Sequence, residues 1–418
     1  MNAPLDLKRR AEVVELPFAS PGTPLAAASA APAPRDPVAL ARALVPLIEA
    51  HAPRIEQERA ITPEVLDALH AAGLFRCLIP RDQGGDELDP ATHVRMIEQL
   101  ARGDGSVAWC VNQASGCSMS AASVSPEVAR AVWGDPRAAL AWGFGPAGRV
   151  RPVEGGWLVS GTWQFASGSR HANFLGGHCQ LLDADGTPRR GPDGAPLERT
   201  ALFPRAAAEI RDVWQVMGLR GTGSDTYAVT DLFVPEGYVY DREAVRTELA
   251  PGPLYRFTST HLYAAGFAGV ALGLARASLD ALVALARKKT PSQAARSLRD
   301  SPVLQGTLAQ AEARLRGARA GLLEALREAW EATLDADAVP MDHRAAIRMA
   351  TTWAIHEAAA VVSVCWREAG ATAIFESNPF ERRFRDVNAV TQQLQGRLAH
   401  FESVGQHMLG LAVPARAL

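Results

Sequence analysis

Phe165, Ala166, Ser167 and Gly168 stand in the stretch QFASGSRHA, where two apolar residues run directly into a hydroxyl and a glycine. A flat, largely aromatic ligand needs an apolar wall against one face and one or two polar groups at its edge. Phe165 and Ala166 supply such a wall and Ser167 the edge hydroxyl, although a Ser-Gly pair also makes an ordinary turn. A second stretch, AWGFGPAGRV, sets Gly143, Gly145 and Gly148 around Pro146, with Trp142, Phe144 and Ala147 among them. Glycines there let backbone approach a ligand without interference from Cβ, or simply join two strands. Trp109, Trp142 and Trp163 suit the lining of a cavity for an aromatic compound and suit core packing equally. Among ten histidines, His171 lies two residues beyond Ser169, and His261 opens a long helical pattern. Imidazole titrates near neutrality, so either is a candidate base or ligand contact, with plain packing as the alternative.

The elements that must position these residues are legible from periodicity. From Val38 to about Trp133 apolar residues recur at three- and four-residue spacing, as in VALARALVPLIEAHA and THVRMIEQLAR, which predicts an all-helical domain. Thr62, Pro63 and Glu64 mark the start of its second helix and Gly73 its end. Between about Ala139 and Tyr240 the pattern changes to alternation, in WLVSGTWQF and DTYAVTDLFVP, and predicts a small antiparallel β-domain. Long helical patterns with wide apolar faces then return and predict a four-helix bundle. The expected division is a tail over 1–36, a helical domain over 37–137, a β-domain over 138–241 and the bundle over 242–418. The Pro/Ala/Ser-rich tail lacks periodicity and is expected to be disordered.

Composition narrows the class. The 418 residues are 48% apolar, which suits a globular fold. Lys and Arg number 43 against 45 Asp and Glu, so no basic excess points to nucleic acid or an anionic membrane. Five cysteines without a CxxC pair suggest neither a disulfide framework nor a zinc site, and fit a reducing cytoplasm. The first twenty residues lack the apolar segment of a signal peptide, and no run is expected to span a membrane.

The order helical, β, helical resembles that of the acyl-CoA dehydrogenase superfamily, and five segments in the same order carry the likeness: LHAAGLFRCLIPRDQGG, WLVSGTWQFASGSRHANF, VWQVMGLRGTGSDTYAVTDLFVPEG, ALARKKTP and NPFERRFRDVNAVTQQ. The resemblance implies an α+β, mostly helical fold that binds a flavin. It places Ser167 near the reactive N5 and puts the Trp142–Ala147 loop beside the pyrimidine end. It also assigns Arg287, with Lys288 and Lys289 beside it, to the flavin phosphate. A helix C-terminus favours a cation in any case, so Arg287 also reads as a simple cap.

Dehydrogenation of an acyl thioester requires a carboxylate to remove the α-proton. The two family positions for that base correspond here to Leu394 and Ser259, and Glu376 and Glu402 lie on charged or turn-like stretches. FASGSRHA and FRDVNAVTQQ instead resemble the two-component flavin monooxygenases, which react reduced flavin with oxygen to give a C4a-hydroperoxide. Phenol-hydroxylating members carry two histidines at positions that are Cys117 and Gln393 here. Glutamine only hydrogen-bonds, and a thiol is a poor base at its ordinary pKa. The resemblance therefore implies an oxygenase component that uses reduced FMN or FAD from a separate flavin reductase, with oxygen as co-substrate. Its substrate would be a small aromatic or heteroaromatic compound needing little base assistance. Site candidates are Ser167, His171, Gln393 and Cys117, with no metal. A homotetramer in which one subunit completes its neighbour's site is implied as well. The rival readings are an acyl-CoA dehydrogenase or oxidase with an unrecognised base, and a homologue that binds without turnover.

Overall fold

The computed structural model describes residues 35–418 apart from 243, 245–249 and 293–295. Nearly all of the expected tail lies outside the described residues. Five helices come first: α1 (Pro37–Glu58), α2 (Pro63–Ala71), α3 (Pro90–Gly103), α4 (Gly105–Ser118) and α5 (Pro126–Trp133). Four of them begin at proline, whose fixed φ suits the first helical position. Asp104 ends α3 and caps α4, its carboxylate accepting from the amides of Ser106 and Val107 at 2.9 and 3.1 Å.

Eight strands follow: β1 (Leu140–Trp142), β2 (Gly148–Val153), β3 (Gly156–Ala166), β4 (Phe174–Leu181), β5 (Glu198–Pro204), β6 (Glu209–Arg211), β7 (Asp225–Pro235) and β8 (Val239–Tyr240). They form one sheet in the order β6-β7-β3-β2-β4-β5-β8, with β1 beside β4. The sheet is mixed, because β4 runs parallel to both β1 and β2. With β3 flanked by β2 and β7, the chain leaving Ala166 crosses to the far side of β2 and pairs there. That crossing is the turn which carries Ser167 and His171.

The last helices are α6 (Ser259–Lys288), α7 (Pro302–Ala332), α8 (Met341–Ala369), α9 (Pro379–Thr391) and α10 (His400–Met408). Helix α6 is central, packing on α3, α4, α8 and α9. Contrary to the expectation from sequence, it is long and apolar enough to cross a membrane by length and composition alone. Its apolar residues, from Leu262 to Leu282, are instead buried against protein on nearly every side. One continuous core runs from the first helices through the sheet into the bundle.

Candidate active site

The end of β3 and the loop after β1 come together. Phe144 N donates to Gln164 O at 2.9 Å, and Gly143 N donates to the Tyr227 hydroxyl at 3.1 Å. A Cβ at position 143 would lie 2.6 Å from Gln164 O, so glycine is what allows the loop to lie on the strand. Phe144 and Phe165, 63% and 60% exposed, stand out with Pro146 and Ala147 as an uncovered apolar edge. Phe165 has φ +60°, a conformation bulky residues rarely adopt and one that often marks a functional site. Ala166 is fully covered, so its methyl adds nothing to that wall.

Behind this edge Ser167 is buried in a chain of hydroxyls. Thr222 Oγ1 donates to Leu219 O at 2.8 Å, so its contact with Ser224 Oγ at 2.7 Å must be donated by Ser224. The contact between Ser224 and Ser167 at 2.7 Å is then donated by Ser167, since each hydroxyl has one hydrogen. Trp109 Nε1 donates to Ser167 Oγ at 2.9 Å. The network therefore fixes Ser167 as an acceptor with its hydrogen already engaged.

Trp109 stacks on Phe267 at 3.9 Å between ring centroids, and Phe267 in turn stacks on Tyr263 at 6.0 Å. The Tyr263 hydroxyl donates to Cys117 Sγ at 3.3 Å. Burial pushes the Cys117 thiol up to about 12, so it shapes the site and moves no proton near neutrality. Ser167 and Cys117 are thus joined through three aromatic rings, two of them contributed by α6 at i and i+4.

The hydroxyl chain depends on the loop between Met217 and Ser224, which α9 clamps. Asp386 Oδ1 accepts from Leu219 N at 2.6 Å, and Arg385 donates to Met217 O. A Cβ at Gly218 would fall 2.3 Å from Arg385 O. The Arg385–Asp386 pair of FRDVNAVTQQ is therefore a positioning device, holding Leu219 at φ +53° beneath Thr222 and Ser224.

The other expected residues are scattered. His171 rests on Phe75 at 5.8 Å and is pushed down to about 4 by burial, with His70 and Arg205 adding to the effect. His261 closes a capping box with Thr258 and is pushed to about 3, again mainly by burial. Gln393 Oε1 accepts from Gln395 N at 2.8 Å, while its buried Nε2 has no partner. Trp163 is a core residue, donating to His178 O at 2.9 Å. Arg287 is exposed in the last turn of α6, twenty residues and roughly 30 Å along the axis from Phe267.

A cavity of about 210 Å³ opens beside this site, lined by Gly116 and Met119 of α4 and its end, by Trp142, and by the approach to α6. Gly116 is seven residues from Trp109, roughly 10 Å along α4. Among the described residues no Asp or Glu lines the cavity, whereas Ser259 does. Leu394, Glu376 and Glu402 are exposed.

Comparison with known proteins identifies the family. Residues 40–132 match the acyl-CoA dehydrogenase N-terminal domain and residues 265–395 its C-terminal domain. The chain is 34% identical to the indole-3-acetate monooxygenase of Pseudomonas putida over 81% of its own length and 84% of that protein's. It belongs to the flavin-dependent monooxygenase branch of the acyl-CoA dehydrogenase superfamily. Identity to the flavin-dependent monooxygenase oxygenase subunit HsaA of Rhodococcus jostii is 28%, covering 83% and 91% of the two chains. Among solved structures, XiaF from Streptomyces in complex with FADH2 and glycerol superposes with a TM-score of 0.83 at 25% identity, covering 90% and 96%.

For a member of this branch the residues present fit a flavin. The uncovered Phe144–Phe165 edge supplies an apolar face, the Gly143 loop supplies close backbone, and Ser167 supplies an acceptor behind that edge. The structure brings Trp142, Phe165 and Ser167, named from the sequence, into one region, and adds Ser224, Tyr263 and Phe267, which the sequence reading did not name. The i, i+4 aromatic pair in HLYAAGF is the signal that could have found the last two.

Proposed function

We infer that this protein is the oxygenase component of a two-component system, using reduced flavin and oxygen to hydroxylate a small aromatic or heteroaromatic compound. The observation that carries this reading is the direction of the hydrogen bonds at Ser167. When bound, the reduced flavin activates oxygen for transfer to the substrate. What the chain contributes is an apolar seat at Phe144 and Phe165, a pocket shielded by Trp109, Phe267 and Tyr263, and an acceptor at Ser167. Reduced flavin carries a hydrogen at N5, whereas oxidised flavin presents a lone pair there. Ser167, with its own hydrogen engaged by Ser224, pairs with the first and opposes the second. An acyl-CoA dehydrogenase is disfavoured because no carboxylate among the described residues lines the cavity.

Anaerobic titration tests the Ser167 assignment. Ser167→Ala should bind reduced flavin several-fold more weakly, the loss of about 1 kcal/mol for one hydrogen bond. Ser224→Ala frees the Ser167 hydrogen, so it should strengthen binding of oxidised flavin and narrow the preference. Unchanged affinities for both redox states in both variants would remove Ser167 from the flavin.

A separate reductase supplies the reduced flavin in this reading, which is supported by a relative named as an oxygenase subunit. Five free, buried cysteines suit a reducing cytoplasm. We propose further that the bundle forms a homotetramer, since Met349 and Trp353 on α8 and Leu398, Met408, Leu409 and Leu411 beyond α9 are exposed apolar residues near one end of the chain. Arg287 would then serve a neighbouring subunit's flavin, and Gln393, with its unpartnered amide, would face the same shared region. Light scattering should give four times the chain mass of 44.5 kDa, and a monomer that still binds flavin would contradict the arrangement.

A further inference from the structure

Among the described residues, the lining of the cavity beside the site is cationic. Arg242, Arg256 and Arg344 all line it, together with Trp142, Tyr255 and Phe257, and no acidic residue among those described faces it. Arg256 and Arg344 belong to different elements but are tied to one segment. Val339 N donates to Arg256 O at 3.4 Å, and Arg344 Nε donates to Val339 O at 2.8 Å. Arg256 Nη1 donates to Thr333 O, while its buried Nε has no hydrogen-bond partner. Neither arginine has an ion-pair partner among the described residues.

Half-buried guanidinium groups are costly to desolvate unless an anion meets them. Bidentate recognition of a carboxylate is what a planar guanidinium does best. The N-terminus of α6, entering through Thr258 and Ser259 in the same lining, adds a positive dipole end. Aromatic walls beside Arg256 and Arg344, which lack an ion-pair partner among the described residues, describe a receptor with one apolar and one anionic requirement.

We propose that this cavity binds an aromatic substrate through a side-chain carboxylate, with Arg256 and Arg344 as the residues that determine specificity. This rests on the aromatic-hydroxylase reading above and adds the charged group and the residues that hold it. The ring would lie toward Trp142 and Gly116, the side nearest Trp109 and Ser167, and the carboxylate toward the Val339 segment. Nothing in this arrangement requires the substrate to be a phenol.

Equilibrium binding to the purified protein, followed by Trp fluorescence or calorimetry, separates the charge requirement from turnover. Indole-3-acetate should bind at least about tenfold more tightly than its neutral amide. Arg344→Ala and Arg256→Ala should each bring that ratio toward one, with circular dichroism and the melting temperature reporting an intact fold. Arg344→Lys should retain part of the preference, because it keeps the charge without the fork. Equal binding of acid and amide by the wild type, no binding of the acid, or a ratio unaltered by both alanine variants would overturn the proposal. Transfer of oxygen to neutral aromatics in those same cases would leave the oxygenase reading standing.

Discussion

Gly143→Ala should lower affinity for reduced flavin by at least about tenfold while leaving most of the fold intact. The added Cβ would meet Gln164 O and Trp163 Cβ, both at 2.6 Å, and neither can yield because one is strand backbone and the other belongs to a fully buried side chain. The loop must lift, breaking the Phe144 amide bond to Gln164 O and disturbing that from Gly143 N to Tyr227. Two weakened hydrogen bonds amount to about 1–3 kcal/mol, and the apolar seat formed by Phe144 is displaced with them. Gly145→Ala is the matched control. It has φ +74° and open space around it, so it carries conformational strain of about 1 kcal/mol without a clash. Flavin titration should separate the two variants clearly, whereas their melting temperatures should differ by only a few degrees.

Asp386→Ala should be the most destabilising single change near the site, costing about 2–4 kcal/mol in unfolding free energy. It leaves the Leu219 amide without an acceptor and releases a residue held in the left-handed region. Urea unfolding measures the loss, and disorder of the Thr222–Ser224 loop should weaken reduced-flavin binding in parallel. Asp386→Asn tests the charge alone, since its amide oxygen still accepts from Leu219. Burial, with Asp104 close by, pushes the Asp386 carboxyl from 3.8 up to about 7. A folded pKa above the unfolded one contributes stability that is present below about 4 and lost as pH rises through about 7. Relative to wild type, the Asn variant should therefore gain stability as pH is raised across that interval. A constant difference between the two proteins from acid to neutral pH would show that Asp386 does not titrate there.

The architecture was largely visible in the chain, because helical and alternating apolar spacing reports directly on which faces are buried. Pro63 at the start of α2 and the glycine loop at 143–148 were equally plain, being local chemistry. The α6 span was underestimated as a membrane-length segment for the same reason that it became the central core helix: it is apolar on every face. At the site, Phe165 and Ser167 stood out through their adjacency together with the family resemblance of the stretch around them. The hydroxyl chain was not, since Ser224 lies 57 positions from Ser167 and meets it only after β3 and β7 pair. His171 looked chemical because it follows the Ser-Gly turn, yet that turn swings it onto Phe75. The arginines around the cavity come from three separate connections, so no spacing in the chain relates them.

Reaction of the purified protein with chemically reduced flavin, an aromatic carboxylic acid and isotopically labelled dioxygen tests the central claim most directly. Mass spectrometry should find one labelled oxygen atom in the aromatic product, with no label taken from water. Product lacking that label, or reduction of bound flavin by an acyl thioester in the absence of oxygen, would contradict the assignment.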